Sequence, residues 1–207
     1  MNSRLKLEEL EAKAREMFGE NFIDLAESCA IFNKGKALKE NELGGFCSFS
    51  MNEQQLKVYA KDGFALLTIP KRITVEEICS LVPDLFIFNL NIRETISLKR
   101  EIVSPGRYLV KKEPRHFSSG TMLMREEGMI LEHNPRLAEV ICAYALCHLA
   151  GKRKVLIERI CILCREEVSR RYGKARLCFK KDPGSAINIG VWQSQISMPN
   201  VLPIKRA

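Results

Sequence analysis

Lys174, Arg176 and Lys180 stand at alternate positions of one short segment, interleaved with Ala175, Leu177 and Phe179. That period of two predicts a half-buried strand with its cations on one face. Ile187, Ile189 and Val191 alternate in the same way with Asn188, Gly190 and Trp192. Asp182-Pro183-Gly184-Ser185 between the two segments has the composition of a turn. For both apolar sets to share a face, the numbers of opposed residues must sum to an even value. Lys180 opposite Asn188 meets that condition and sets Arg176 opposite Trp192. A guanidinium over an indole is worth about 0.5–1 kcal/mol at an exposed site. A cationic sheet face with an aromatic on it suits single-stranded nucleic acid. Lys181, Arg170 and Arg171 extend the set, so the candidate nucleic-acid- or anion-binding residues are Lys174, Arg176, Lys180, Lys181, Trp192, Arg170 and Arg171. The competing reading is a solvated strand whose lysines protect an edge, with Trp192 turned onto the core. RNA-binding sheets stack two or three bases on their aromatics; here one tryptophan is at hand, and no helix-turn-helix or ribonucleoprotein consensus occurs.

Other reactive residue types are weaker signals. Cys161-Ile162-Leu163-Cys164 has the spacing of a zinc pair, with Cys142, Cys147 and His148 as further ligands. Its spacer is a strand pattern, however, and residues three apart on a strand face opposite sides. Buried structural thiols are the expectation, and no metal site is assigned. His116 with Ser118 and Ser119 suggests a base and a nucleophile, but Ser-Ser-Gly-Thr before a helix is ordinary capping, and no nucleophile-elbow pattern exists. Cys47, after Gly44-Gly45, is the thiol expected to be most accessible. Glu126, Glu127, Glu132 and His133 read as a solvated helix face rather than a metal site. No phosphate-binding glycine loop occurs. No catalytic residue and no cofactor follow.

The charge is unevenly spread. Residues 151–207 carry 13 Lys and Arg against 4 Asp and Glu, a net of +9. Residues 1–150 carry 20 against 21, a net of −1, which together gives the chain's +8. A positive field concentrated at one end raises the local concentration of anionic partners. At 207 residues with 46% hydrophobic side chains, the chain can fill a core. The charged N-terminus lacks a signal-peptide stretch, and no apolar run reaches about 18 residues, so no membrane span is expected. The cysteines, mostly inside apolar runs, point to a reducing, cytoplasmic compartment without disulfides.

The elements that position these residues can be read from periodicity. Helices are expected over 4–18 and 21–32, with a polar loop from Lys34 to Gly45. A helix capped by Ser50 runs to Ala60, and a buried strand spans 64–69. Thr74 to Glu77 fits a capping box for a helix ending near Leu81. Strands follow at 85–90 and 107–111, and a helix over 118–131. Asn134-Pro135 opens a helix to Ala150 that is apolar nearly all round, which belongs at the centre of a fold. The last quarter adds strands at 155–164, 174–181 and 186–192.

Pro105-Gly106-Arg107-Tyr108-Leu109-Val110-Lys111-Lys112-Glu113-Pro114 resembles the start of a segment shared by many uncharacterised proteins of uncultured, reduced-genome bacteria. Their pattern continues with a glutamate-rich helix, an apolar helix, an Arg after a strand, a basic hairpin, a tryptophan and a Leu/Val-rich basic ending. The counterparts here are Ser118 to Leu131, Pro135 to Ala150, Arg165, Lys174 to Val191, Trp192 and Val201 to Arg206. The ending is also loosely similar to the ligand-displaying tail of C-type-lectin-like domains, although Ser194 to Pro203 lacks their run of Asp, Tyr and Asn. The resemblance implies a folded C-terminal module.

The expected fold is α+β: a mainly helical region over 1–100, and a module over 101–207 in which an antiparallel sheet packs on a buried helix. The expected function is a non-catalytic binding module that meets a polyanion, nucleic acid foremost, with its basic hairpin. The alternative is a protein-interaction or ligand-display module of lectin-like type. An enzyme would have to assemble Cys47, His116 or His133 with carboxylates from separate segments.

Overall fold

A computed structural model describes residues 3–112, 115–116, 135–151, 160–170, 173–181, 186–191, 200–201 and 204–207. The protein is α+β, with most helix in the first half and most strand in the second. The first half holds α1 (Ser3–Phe18), α2 (Leu25–Phe32), α3 (Glu40–Leu43), α4 (Glu53–Lys61), α5 (Val75–Leu81) and α6 (Ile92–Lys99). Between them lie β1 (Phe22–Ile23), β2 (Phe64–Ile69), β3 (Ile73–Thr74) and β4 (Phe86–Asn89). Then come β5 (Ile102–Val103), β6 (Gly106–Lys111), β7 (Arg115–His116), α7 (Leu137–Leu149), β8 (Ile160–Arg170), β9 (Gly173–Lys181), β10 (Ile187–Val191), β11 (Asn200–Val201) and β12 (Ile204–Arg206).

Local chemistry sets most helix starts. Asp24, Asn52, Thr74 and Asn91 each accept the backbone N–H three residues on, and the Glu or Gln there reaches back. Each such cap is worth about 1 kcal/mol. The helix expected from Ser50 therefore starts later, because Asn52 and Gln55 form the reciprocal pair. Residues 40–45, expected as loop, form α3 and the start of a 3-10 turn that ends at Phe46. The segment 21–32 splits into β1 and α2 at the Asp24 cap. Gly151 stops α7 at φ +70°, the left-handed conformation open to glycine.

Two larger sheets organise the molecule. One runs β1-β2-β6-β12 and the other β4-β10-β9-β8-β11-β7, with β3 and β5 a separate pair. In both larger sheets, strands from either side of residue 100 are neighbours: β2 pairs with β6, and β4 with β10. The segment 107–111, expected in the C-terminal sheet, lies instead beside β2. Phe64 to Ile69 is buried at every position and needs a partner on each edge. The core of the six-stranded sheet, β8-β9-β10, is antiparallel, whereas β4 and β11 add to it in parallel.

Helix α7 is central. Leu137, Val140, Ile141, Tyr144, Ala145 and Leu146 are buried in one cluster with Ala65, Leu67 and Val110 of the first sheet and Ile162, Cys164, Ile187 and Ile189 of the second. Its nearly all-round apolar sequence is matched by apolar surroundings along most of its length. The opposite face of β2 and β6 (Phe64, Leu66, Leu109) is covered by Ala14 and Phe18 of α1 and Leu56 of α4. The helix expected to open at Asn134-Pro135 starts instead at Leu137, with Arg136 at the cap position and Glu139 reaching back to its N–H. The helix expected over 118–131, residues 155–159 and the turn at 182–185 lie outside the described residues.

Candidate functional site

The hairpin has the register that its alternation requires. Asn188 stands opposite Lys180, Ile189 opposite Phe179, Gly190 opposite Cys178 and Val191 opposite Leu177. Ile187 and Ile189 are buried while Asn188 and Gly190 are half-buried, so the apolar set of β10 faces the core. Lys180 is half-buried at the middle strand of this ribbon. One residue beyond Val191, Trp192 lies outside the described residues, as does Arg171. The backbone places Arg170 at the end of β8, Lys174 and Arg176 on β9, and Lys181 at the end of β9.

The full length of the partner on the other side of β9 is not legible in the sequence. β8 continues past Cys164 to Arg170, and its register shifts between Leu163 and Glu167. That irregularity breaks the period-two pattern, which is why 165–170 does not read as strand. It sets Glu167 opposite Arg176 and Ser169 opposite Lys174. Residues 160–181 carry seven cations against Glu166 and Glu167. Glu166 is engaged elsewhere, since its Oε2 accepts the Leu137 N–H at 2.9 Å, and burial raises its carboxyl above the usual range.

A second charged cluster sits beneath α1. Arg107 on β6 is only 3% exposed. Its Nη1 donates to the Phe46 carbonyl, and its Nη2 lies 3.7 Å from Glu11 Oε1. Its guanidinium carbon sits 4.9 Å from the Phe49 ring centroid. Glu11 also accepts the Leu25 N–H at 2.9 Å, and Asp24 holds Arg15 beside it. Burial pushes the Glu11 carboxyl up and pulls Arg107 down. Among the described residues, Arg107 Nε and Nη2, and Oγ1 of its cross-strand neighbour Thr68, are buried without a hydrogen-bond partner. This arrangement ties α1, α2 and the first sheet together. The sequence does not single out Arg107, because alternation puts it on a strand face without showing that α1 covers that face.

Among the described residues, the remaining reactive candidates are not brought together. Cys47, expected to be accessible, is buried; its thiol donates towards the Leu43 and Ser3 carbonyls at 3.3 Å. It ends the 3-10 turn at 44–46 and packs with Leu7, Leu25 and Phe46. Cys142 and Cys147 are buried within α7, and Cys164 within the same cluster. Among the described residues no disulfide forms, and no group of three His, Cys, Asp or Glu stands ready for a metal ion. The side chain of His116, together with Ser118, Ser119, Glu126, Glu127, Glu132 and His133, lies outside the described residues. No helix among the described residues is long and apolar enough to cross a membrane.

Comparison with known proteins adds no relative: no protein-family model, no curated protein and no solved structure matches the chain.

Proposed function

We propose that the protein is a non-catalytic binding module that holds a polyanion, single-stranded nucleic acid foremost, along the β8–β9–β10 ribbon. The observation that supports this reading is the register of the hairpin: Lys174, Arg176 and Lys180 occupy alternate positions of its middle strand. Alternate positions of a strand share a face. The segment sits in the part of the chain that carries the net charge of +9. Arg171 and Trp192 extend the same surface in this reading, whereas the register sets Lys181 and Arg170 at positions of the ribbon's other face. Fluorescence anisotropy with a labelled single-stranded oligonucleotide at low salt tests it. Binding should weaken with added salt and fall below detection when Arg176, Lys180 and Trp192 are replaced together by alanine. Each cation removed should lower the slope of log affinity against log salt by about 0.7. Absence of retention of DNA or RNA at low salt defeats the proposal.

A protein-interaction module is the second reading, and one observation favours it. Ile92, 76% exposed, and Ile96 lie one turn apart on α6 and present an apolar strip to solvent. In that reading binding changes little with salt and depends on Trp192 to Asn200 or on this strip.

A further inference from the structure

A polar cavity of about 150 Å³ opens where the edge strand β12 passes under the first turn of α7. It is lined by Ser104, Tyr108, Arg136, Glu139, Ile204 and Arg206. Its volume is well below the roughly 300–1,000 Å³ of pockets for drug-sized molecules, so it suits a small ligand.

Both arginines are held in place. Arg136 Nη2 bonds Glu101 Oε2 at 3.1 Å, and its Nη1 approaches the Ile102 carbonyl at 3.3 Å. Arg206 Nη2 donates to the Pro105 carbonyl at 2.6 Å, and its guanidinium occupies the space a side chain at Gly106 would need. A Cβ at Gly106 would come within 3.0 Å of Arg206 Nε, and the φ of +148° there also favours glycine. β12 sets Arg206 directly opposite Tyr108. A guanidinium has five N–H donors, so each arginine keeps donors beyond these contacts.

The opposite charge is also present. Glu139 Oε2 accepts the Arg136 N–H at 3.2 Å, which leaves its other oxygen for a further donor. The Tyr108 hydroxyl donates to the Ser104 carbonyl at 2.8 Å, so its oxygen remains an acceptor. A bare anion would gain the guanidinium groups but meet the Glu139 carboxylate. A bare cation would meet Arg206. A ligand with one charge of each sign satisfies both sides.

We propose that this cavity binds a small zwitterion, a free α-amino acid, with its carboxylate on Arg206 and Arg136 and its ammonium on Glu139 and the Tyr108 oxygen. Planar guanidinium–carboxylate pairing supplies the orientation. This site is separate from the basic ribbon and does not depend on what the ribbon binds.

Isothermal titration with glycine, L-alanine and L-serine tests the proposal, with propionate and ethylamine as analogues that carry one charge each. At least one of the three amino acids should bind, and neither analogue should match it. Arg206→Gln should weaken binding about tenfold or more, the size expected for a hydrogen bond to a charged group. Glu139→Gln keeps an acceptor for the Arg136 N–H but removes the charge, and should narrow the preference for alanine over propionate. Circular dichroism checks that both variants fold as the parent does. Failure of all three amino acids to bind overturns the proposal, as does propionate binding as tightly as alanine, or unchanged affinity in Arg206→Gln.

Discussion

Arg107 and Glu166 show how individual charges are kept inside this fold. Arg107 has its Glu11 counter-ion at 3.7 Å and two aromatic rings against it, yet two of its nitrogens make no hydrogen bond among the described residues. Removing one partner of a buried pair leaves the other charge stranded, whereas replacing both with neutral groups of similar shape is often tolerated. Arg107→Met should therefore cost about 3 kcal/mol in urea denaturation. The double variant Arg107→Met/Glu11→Gln should recover most of that loss. Glu166 makes a pH prediction. Burial lifts its carboxyl above the ordinary 4.5, so the folded chain holds a proton more tightly there than the unfolded chain does. Its stabilising contribution is complete below the unfolded value and is lost as pH rises through the folded one. Glu166→Gln, which can still accept the Leu137 N–H, removes this dependence. The stability of the variant relative to the parent should be higher at about pH 8 than at about pH 4. A difference that is flat with pH in paired denaturation curves would contradict it.

At the scale of elements, the long β8–β9 hairpin carries the clearest test of the proposed surface. Its register sets one acidic residue, Glu167, opposite Arg176. Opposed unlike charges on paired strands interact by about 0.2–1 kcal/mol. Glu167→Gln removes a negative charge from the position opposite Arg176 and should tighten oligonucleotide binding by about twofold or more; weaker binding in anisotropy titrations would count against the ribbon as the contact face. Much of this level can be read from the chain. Parity narrows the β9–β10 pairing to registers that include the observed Lys180–Asn188 one, and the α5 cap follows from Thr74 and Glu77. What escapes such reading has physical causes. α6 has a reciprocal Asn91–Glu94 cap, but its exposed Ile92 and Ile96 blur the apolar stripe by which a helix is recognised. The irregularity after Leu163 hides half of β8. The cavity at Arg206 depends on β12 meeting β6 across about a hundred residues, which no local pattern encodes.

For the molecule as a whole, α7 decides the cooperativity. Its side chains pack in one cluster with residues of both larger sheets, and β2–β6 and β4–β10 join the two halves of the chain. A helix shared in this way ties the largest core cluster to both halves of the chain. Thermal unfolding should therefore follow one transition, with near- and far-ultraviolet circular dichroism coincident. Ile141→Ala, at a position with no exposure, should cost about 2–5 kcal/mol and lower that single transition without splitting it. Two separate transitions would mean that the halves are held together more weakly than their strand pairing implies.

The placement of β12 beside β6 also has a consequence during synthesis. Lys111 precedes Ile204 by 93 residues, so at about 5–20 residues per second a ribosome needs roughly 5–20 s to make the strand that completes the first sheet. Throughout that interval one side of β6 in the nascent chain offers bare amide and carbonyl groups to any extended peptide nearby. Yield in the cell should be set by how well that open flank is guarded, and a chaperone that shields it should raise the recovered protein more than one acting after release.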